Sequence, residues 1–280
     1  MELTTVESVK STIDDVTKYI VEDSEFGKNE ASVIRKSDKI IFCLPTQTNC
    51  RMGCAFCHLT GTTRPVKNLS YDWFVSVVDH LIKSENIPEN ENFLVSFMGA
   101  GEPLLNVVNI TEACEIIHAK YERIRFGAAT LIPSVSAIKK LTQWAQSHGN
   151  IRFKLHLSVH GIKHRHRIIK SNVKIETAID YIKMYSMKTG NPIEYHYTLV
   201  AGWNDQLSEL TQFSNMVHGN GTVKFLTLSE NNGCKRSDLP QGLLEAIFSQ
   251  NVVEFYDPPG RDVGASCGMF DQNLYNEVCE

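Results

Sequence analysis

Nowhere in its 280 residues does the chain string together the run of about 18 apolar side chains that a membrane-spanning helix requires. No membrane partner is therefore expected. The first ten residues carry acids and threonines where a secretory leader needs a positive start and an apolar stretch, which points to the cytoplasm. A large excess of one charge is also missing. With a formal net charge of -4, binding to nucleic acid by bulk charge is disfavoured, so any RNA contact must be local. The absence of internal repeats and low-complexity segments sets aside solenoids and linkers. What remains, at 42% hydrophobic and 21% charged residues, is a globular composition. The length suits one α/β barrel or two domains of about 150 residues.

Val6, Val9, Ile13, Val16 and Ile20 recur at helical spacing and predict an amphipathic helix over residues 6–21. Residues 31–44 read as extended chain, with a turn at Ser37 and Asp38 before a strand at 39–44. β-rich runs follow at 93–98, 125–131, 151–158, 193–199 and 222–228, separated by helical stretches at 71–83, 107–121, 135–148, 175–188 and 207–217. Six strands with crossover helices predict an α/β fold whose parallel sheet curls into a partial (β/α)6 barrel. The expected division is an N-terminal helical and extended segment at 1–38, the barrel at 39–250, and a C-terminal segment at 251–280. Ligand sites in such folds lie beyond the carboxyl ends of the strands, where the chemically suggestive residues of this chain fall.

Eight cysteines without an export signal read as metal ligands, reactive thiols or buried small residues rather than a disulfide framework. Cys50, Cys54 and Cys57 lie within eight residues, just past the first barrel strand. Thiolates are the soft ligands that iron–sulfur clusters require, and electron-carrier clusters normally take four. The local absence of a fourth leaves one iron open to a chelating substrate. The alternatives are a zinc site completed by His58 or a distant cysteine, or three buried thiols.

The spacing of these cysteines, with Phe56 before the last, resembles the signature of the radical S-adenosylmethionine (SAM) superfamily. The resemblance implies a 4Fe-4S cluster and SAM as cofactors, the reduced cluster cleaving SAM to a 5'-deoxyadenosyl radical. It also implies that the glycine-rich element at residues 97–103 holds the SAM amino group, with Gly101 admitting close backbone approach and Glu102 supplying a carboxylate. At later strand ends, Thr130, Ser158, Val159, His160 and Ser229 offer groups suited to a carboxylate or ribose, although lone residues of these types are commonly satisfied barrel residues.

From Glu30 to Phe270 the chain further resembles the RNA adenine methyltransferases RlmN and Cfr. Cys43-Leu44-Pro45-Thr46-Gln47-Thr48-Asn49-Cys50, Gly101-Glu102-Pro103-Leu104-Leu105-Asn106, Leu157-Ser158-Val159-His160, Trp203-Asn204-Asp205 and Ala265-Ser266-Cys267-Gly268 carry the resemblance. It implies methylation at C2 or C8 of an adenine in structured RNA, rRNA or tRNA. Cys267 would carry the methyl group, and Cys43 would resolve a tethered adduct by forming a disulfide. That chemistry calls for exposed, partly ionised thiols, a low-potential electron donor and a thiol reductant. Glu30 matches a family proton acceptor.

The chain departs from the family pattern in a reduced N-terminal recognition region, a longer segment at 61–69, Thr130 in place of serine and Ser229 in place of asparagine. The basic run at 163–167, with Lys170, is either a phosphate contact or a solvated face. Cys114 is expected in the core, with Cys234 and Cys279 incidental. A radical SAM enzyme with another acceptor, and a noncatalytic iron–sulfur or zinc protein that binds RNA, are the competing functions.

Overall fold

A computed structural model describes residues 2–276, so Cys279 lies outside the described residues. Ten strands form one sheet in chain order. β1 (Thr4–Lys10), β2 (Val16–Asp23), β3 (Gly27–Arg35) and β4 (Ile40–Cys43) pair antiparallel. From β4 onward all pairing is parallel, through β5 (Phe93–Phe97), β6 (Ile124–Thr130), β7 (Phe153–Ser158), β8 (Ile193–Thr198), β9 (Thr222–Leu226) and β10 (Val252–Tyr256). The crossovers carry helices α1 (Tyr71–Ser84), α2 (Val107–Lys120), α3 (Val135–Ser147), α4 (Arg165–Ile168), α5 (Ile175–Thr189), α6 (Leu207–Val217) and α7 (Gln241–Ile247). This is the α/β barrel expected from the alternating pattern. No described helix is long and apolar enough to cross a membrane.

The helix expected over residues 6–21 is instead the β1–β2 hairpin. Its apolar residues do not form a helical core face, since Val6, Val9 and Ile13 are 49%, 40% and 69% exposed. The Ser11 hydroxyl accepts hydrogen bonds from the backbone N–H groups of Ile13 and Asp14, a local turn that competes with helix formation. The β-branched residues around it suit strands better. A seventh parallel strand, β10, was also missing from the sequence-based expectation. It is a partly exposed edge strand without a clear alternating pattern, and α7 before it spans only seven residues, too few for periodicity to show.

Strand alternation fixes what the barrel wall presents on each side. On β7, Phe153, Leu155 and Leu157 join the apolar core beneath the helices, which leaves Lys154, His156 and Ser158 on the opposite, inner face. α1 seals part of the outside: the Ser70 hydroxyl caps it by accepting from Trp73 N, and Trp73, Phe74, Val77, Val78 and Leu81 are buried along its apolar stripe.

The segment after β10 returns to the N-terminal hairpin. Gly260 N donates to Asp14 at 2.7 Å, and Asp262 accepts from the Ser11 hydroxyl at 2.7 Å and from Thr12 N at 2.8 Å. These contacts carry the chain from the last strand back to the β1–β2 turn, and Cys267 follows at the edge of the cavity above the strands.

Candidate active site

Cys50, Cys54 and Cys57 line one cavity with Gly101, Glu102, Ser158, His160, Ser229 and Cys267. Backbone packing at the ends of β4 and β5 forms its base. Gly99 N donates to Leu44 O at 3.0 Å, and Thr46 N to Ala100 O at 2.6 Å. A Cβ on Gly99 would meet Pro45 N at 2.7 Å, and one on Gly101, at φ +103°, would meet Thr46 Oγ1 at 2.5 Å. Only glycine allows this approach.

The cysteine loop is held from several sides. Asn49 Oδ1 accepts from Cys50 N at 2.7 Å, while Ala55 N donates to Ile168 O and His58 N to Gly268 O. The longer segment at 61–69 contributes to this hold. Buried Arg64 donates to the carbonyls of Phe26 and Lys28, tying the loop to the β2–β3 turn, and Asn49 Nδ2 donates to Arg64 O.

Burial raises the Cys50 thiol, raises Cys54 well above its ordinary range and pushes Cys57 up to about 12. The nearby cation is Arg165, whose charge favours the Cys54 thiolate. Three half-buried thiols on one wall suit a positively charged iron–sulfur cluster that would offset the cost of ionising them. A single zinc ion suits them less. Among the described residues, the His, Cys, Asp and Glu group whose ligand atoms meet within 4.8 Å is His156, Glu194 and His196, not the cysteines. His58 does not line this cavity, and its Nδ1 lies 3.3 Å from Phe270 O.

Glu102 is 3% exposed. Its carboxylate accepts from Leu104 N at 3.0 Å, from Leu131 N at 2.9 Å and from the Thr130 hydroxyl. Of about four lone-pair directions on a carboxylate, one remains for an external ammonium. Burial raises its carboxyl above the usual range despite these bonds.

The remaining residues sort by position. Thr130 is sealed behind Glu102 and Val159 is fully buried, so neither side chain lines the cavity. They shape it from behind. Ser158 lines it; His160, at φ +50°, also does, with Nδ1 accepting from Thr198 N at 3.0 Å. Asn204 fixes this corner by donating to the carbonyls of His160 and Thr198. Ser229 lines the cavity and accepts from Arg261 at 2.8 Å.

Cys43 ends β4, where burial, and next the Cys267 sulfur, push its thiol up to about 12. Cys267 is solvent-accessible, yet protein packed around its sulfur raises its thiol too, against the pull of Arg261 and Lys224. Both are free thiols, and desolvation raises both above the ordinary thiol range, which works against ready ionisation. Glu30 lies behind the cavity wall. It is 7% exposed, pairs with Lys18 at 2.7 Å, accepts from Asp271 N at 3.0 Å, and does not line the cavity.

Arg165 was grouped by sequence with a basic surface run, but it is buried and donates to the carbonyls of Val159, Leu131 and Ser158. Lys163, His166, Arg167 and Lys170 remain exposed. Cys114 is in the core as expected, and Cys234 is buried in a small cluster near the cysteine loop. His196, on the cavity wall, escaped the motif search. Its signal was alternation: Lys154, His156 and Ser158 on β7 and Glu194, His196 and Thr198 on β8 place polar groups at every second position.

No family model matches the chain. A protein of Thermotoga neapolitana named "Probable dual-specificity RNA methyltransferase RlmN" is 31% identical over 276 residues, covering 92% of this chain and 76% of that protein. A dual-specificity RNA methyltransferase RlmN of Lawsonia intracellularis is 27% identical over 285 residues, covering 96% and 79%. Among solved structures, a radical SAM methyltransferase from Sphaerobacter thermophilus superposes with a TM-score of 0.84 at 21% identity, over 96% of this chain and 81% of that one.

Proposed function

Because the chain belongs to the RlmN family of radical SAM RNA methyltransferases, we propose that it methylates an aromatic carbon, C2 or C8, of an adenine in rRNA or tRNA. The observation that carries this function is the cavity itself, which has the three-cysteine loop and Glu102 on its walls and Cys267 at its edge, with the Cys43 thiol close enough to feel the Cys267 charge.

In this assignment Cys50, Cys54 and Cys57 hold a 4Fe-4S cluster, and Gly101, Glu102, Ser158, His160 and Ser229 surround SAM, with Thr130 and Val159 behind them. The bound cofactors supply one-electron cleavage of SAM and the hydrogen-abstracting radical. Cys267 accepts a methyl group from one SAM and, after hydrogen abstraction, joins its carbon to the adenine ring. Cys43 then attacks the Cys267 sulfur. The S–S bond forms as the S–C bond breaks, and the released carbon takes up a proton. A thiol reductant restores the pair, and a low-potential donor supplies the electron for each SAM cleavage. Glu30, paired with Lys18 behind the cavity lining, is the family-matched acceptor for the ring proton.

The test is mass spectrometry of Cys267 and of RNA nucleosides after the full chain is expressed in a host lacking its own related enzyme. Methylated Cys267 together with 2- or 8-methyladenosine is expected. Methylated RNA from protein whose Cys267 is never modified would overturn the tethered route.

A further inference from the structure

His196 lines the cavity from the middle of β8, yet neither the cluster nor the methyl transfer described above gives it a role. Its imidazole faces two ways. Inside the wall, Nε2 lies 2.9 Å from His156 Nδ1 and 3.4 Å from a Glu194 oxygen, and that oxygen is itself 2.9 Å from His156 Nδ1. Glu194 is paired with Lys154 and with Lys224, the latter at 3.1 Å, and Lys224 also reaches Glu254 on β10 at 2.9 Å. On the other edge, His196 Nδ1 has no hydrogen-bond partner among the described residues and is not one of their sealed, unsatisfied polar atoms, which leaves it open to the cavity.

These distances place the hydrogens. A ring nitrogen 2.9 Å from a carboxylate oxygen must carry one, because two lone pairs repel at that separation, so His156 is protonated on Nδ1. The 2.9 Å gap between the two rings has room for that hydrogen and no second one, which makes His196 Nε2 the bare nitrogen that accepts it. Burial lowers the His196 imidazole below its ordinary range and keeps the ring neutral. A neutral imidazole bears one N–H, and for His196 it is on Nδ1, facing the cavity.

The strand order says what such a donor meets. The SAM assignment puts the amino group at Glu102, beyond β5, while Ser229 stands on the far side beyond β9, with β6, β7 and β8 between them. The adenosyl group, at the other end of SAM from the amino group, then falls toward β8 and β9. Ser158 on β7 is the register partner of His196, and Thr198 on β8 lines the same cavity two residues further on.

We infer that His196 binds the cofactor, its Nδ1–H donating to a ribose hydroxyl oxygen or an adenine ring nitrogen of SAM, with His156 and Glu194 fixing the tautomer from behind. The inference rests on the placement of SAM in this cavity. The three inner ligand atoms are also close enough for a metal ion. A divalent ion would, however, set two more positive charges beside the two ammoniums already on Glu194, so the network is better suited to orienting a ring than to holding a metal.

The experiment titrates SAM into full-length, anaerobically reconstituted wild-type protein, His196→Leu and His196→Asn, and reads equilibrium affinity beside iron content. His196→Leu should bind SAM about tenfold more weakly at unchanged iron, the loss of one hydrogen bond whose acceptor is left unpaired. His196→Asn, whose amide can set an N–H close to the place of Nδ1, should stay within about threefold of wild type. Repeating the titration with SAM analogues that lack one ribose hydroxyl, or carry CH for one adenine ring nitrogen, identifies the acceptor: the analogue missing it should bind wild type and His196→Leu alike. Wild-type affinity in His196→Leu, or a tenfold difference that survives every analogue, would overturn the inference. No SAM binding by the wild type would instead defeat the cofactor placement beneath it. Should His196→Leu lose its cluster through misfolding, 15N chemical shifts of the wild-type imidazoles decide: a hydrogen on Nδ1 of His196 supports the inference, and a bare Nδ1 overturns it.

Discussion

Along β4–β6 the inward positions toward the carboxyl ends of the strands are Cys43, Ser96, Gly127 and Ala129, whereas along β7–β10 the inward positions include Lys154, His156, Glu194, His196, Lys224 and Glu254. On the first half, and on the cysteine loop above it, burial raises four thiols and little positive charge faces them. On the second, Glu194 is held far below the ordinary carboxylate range by its histidine and lysine partners, which outweigh the effect of burial. The thiol half reaches its working charge state through a cofactor, while the charged half balances itself. Buried polar groups can therefore mark a cofactor site or a completed network, and the number of partners supplied by the chain tells them apart.

The largest effect expected from this contrast is on the thiol side. Cys54→Ala should abolish the brown 4Fe-4S absorption and all reductive SAM cleavage, because two thiolates do not hold the cluster. Its thermal midpoint should stay near that of wild-type protein stripped of iron, since the charged half needs no cofactor. A collapse of the whole fold on this substitution would break the comparison. Stoichiometric zinc without visible absorption in anaerobically prepared wild type would defeat the cluster assignment.

A smaller effect is expected on the charged side. Glu194→Leu removes a carboxylate that is 4% exposed and leaves Lys224, 17% exposed, without one partner beside two buried histidines. Breaking a buried pair from one side costs about 3 kcal/mol here, the low end of the usual range because Lys154 reaches solvent. Thermal unfolding should shift down by roughly 6–12 °C, with iron content unchanged after reconstitution. Loss of cluster assembly at constant stability would show that the two halves are not separate.

The same division governs what was legible in the sequence. Cys50, Cys54, Cys57, Gly101 and Glu102 could be found because their chemistry depends on short spacings within one loop or strand end. The network of Lys154, His156, Glu194, His196 and Lys224 is assembled from three strands, and its members become neighbours only when register is known. Alternation within β7 and β8 was visible, but not its cause. The β1–β2 hairpin was misread because Val6, Val9 and Ile13 fit a helical period equally well, and what decides between helix and strand there is a turn made by one serine hydroxyl. The burial of Glu30 was not legible because nothing local reveals that Lys18, on the neighbouring strand, reaches its carboxylate.

The smallest effect expected is a graded one, and it falls on Cys43. Its thiol is pushed up to about 12, first by burial and then by the neighbouring Cys267 sulfur. In the proposed adduct Cys267 is a thioether and no longer carries charge, so the second cause disappears while burial, the larger one, remains. Resolution needs the Cys43 thiolate, whose fraction below the pKa rises about tenfold per pH unit. Adduct formed at pH 7 and moved to higher pH should therefore release methylated RNA faster in that proportion, measured as single-turnover decay of the Cys267–RNA species. The sign follows from the raised value: a thiol with an ordinary pKa would level off near pH 9, whereas Cys43 should still be accelerating there. A plateau below pH 9 would mean that a basic group ionises Cys43 in the complex, and the contrast between an uncompensated thiol half and a self-balanced charged half would then fail at the residue where the two meet.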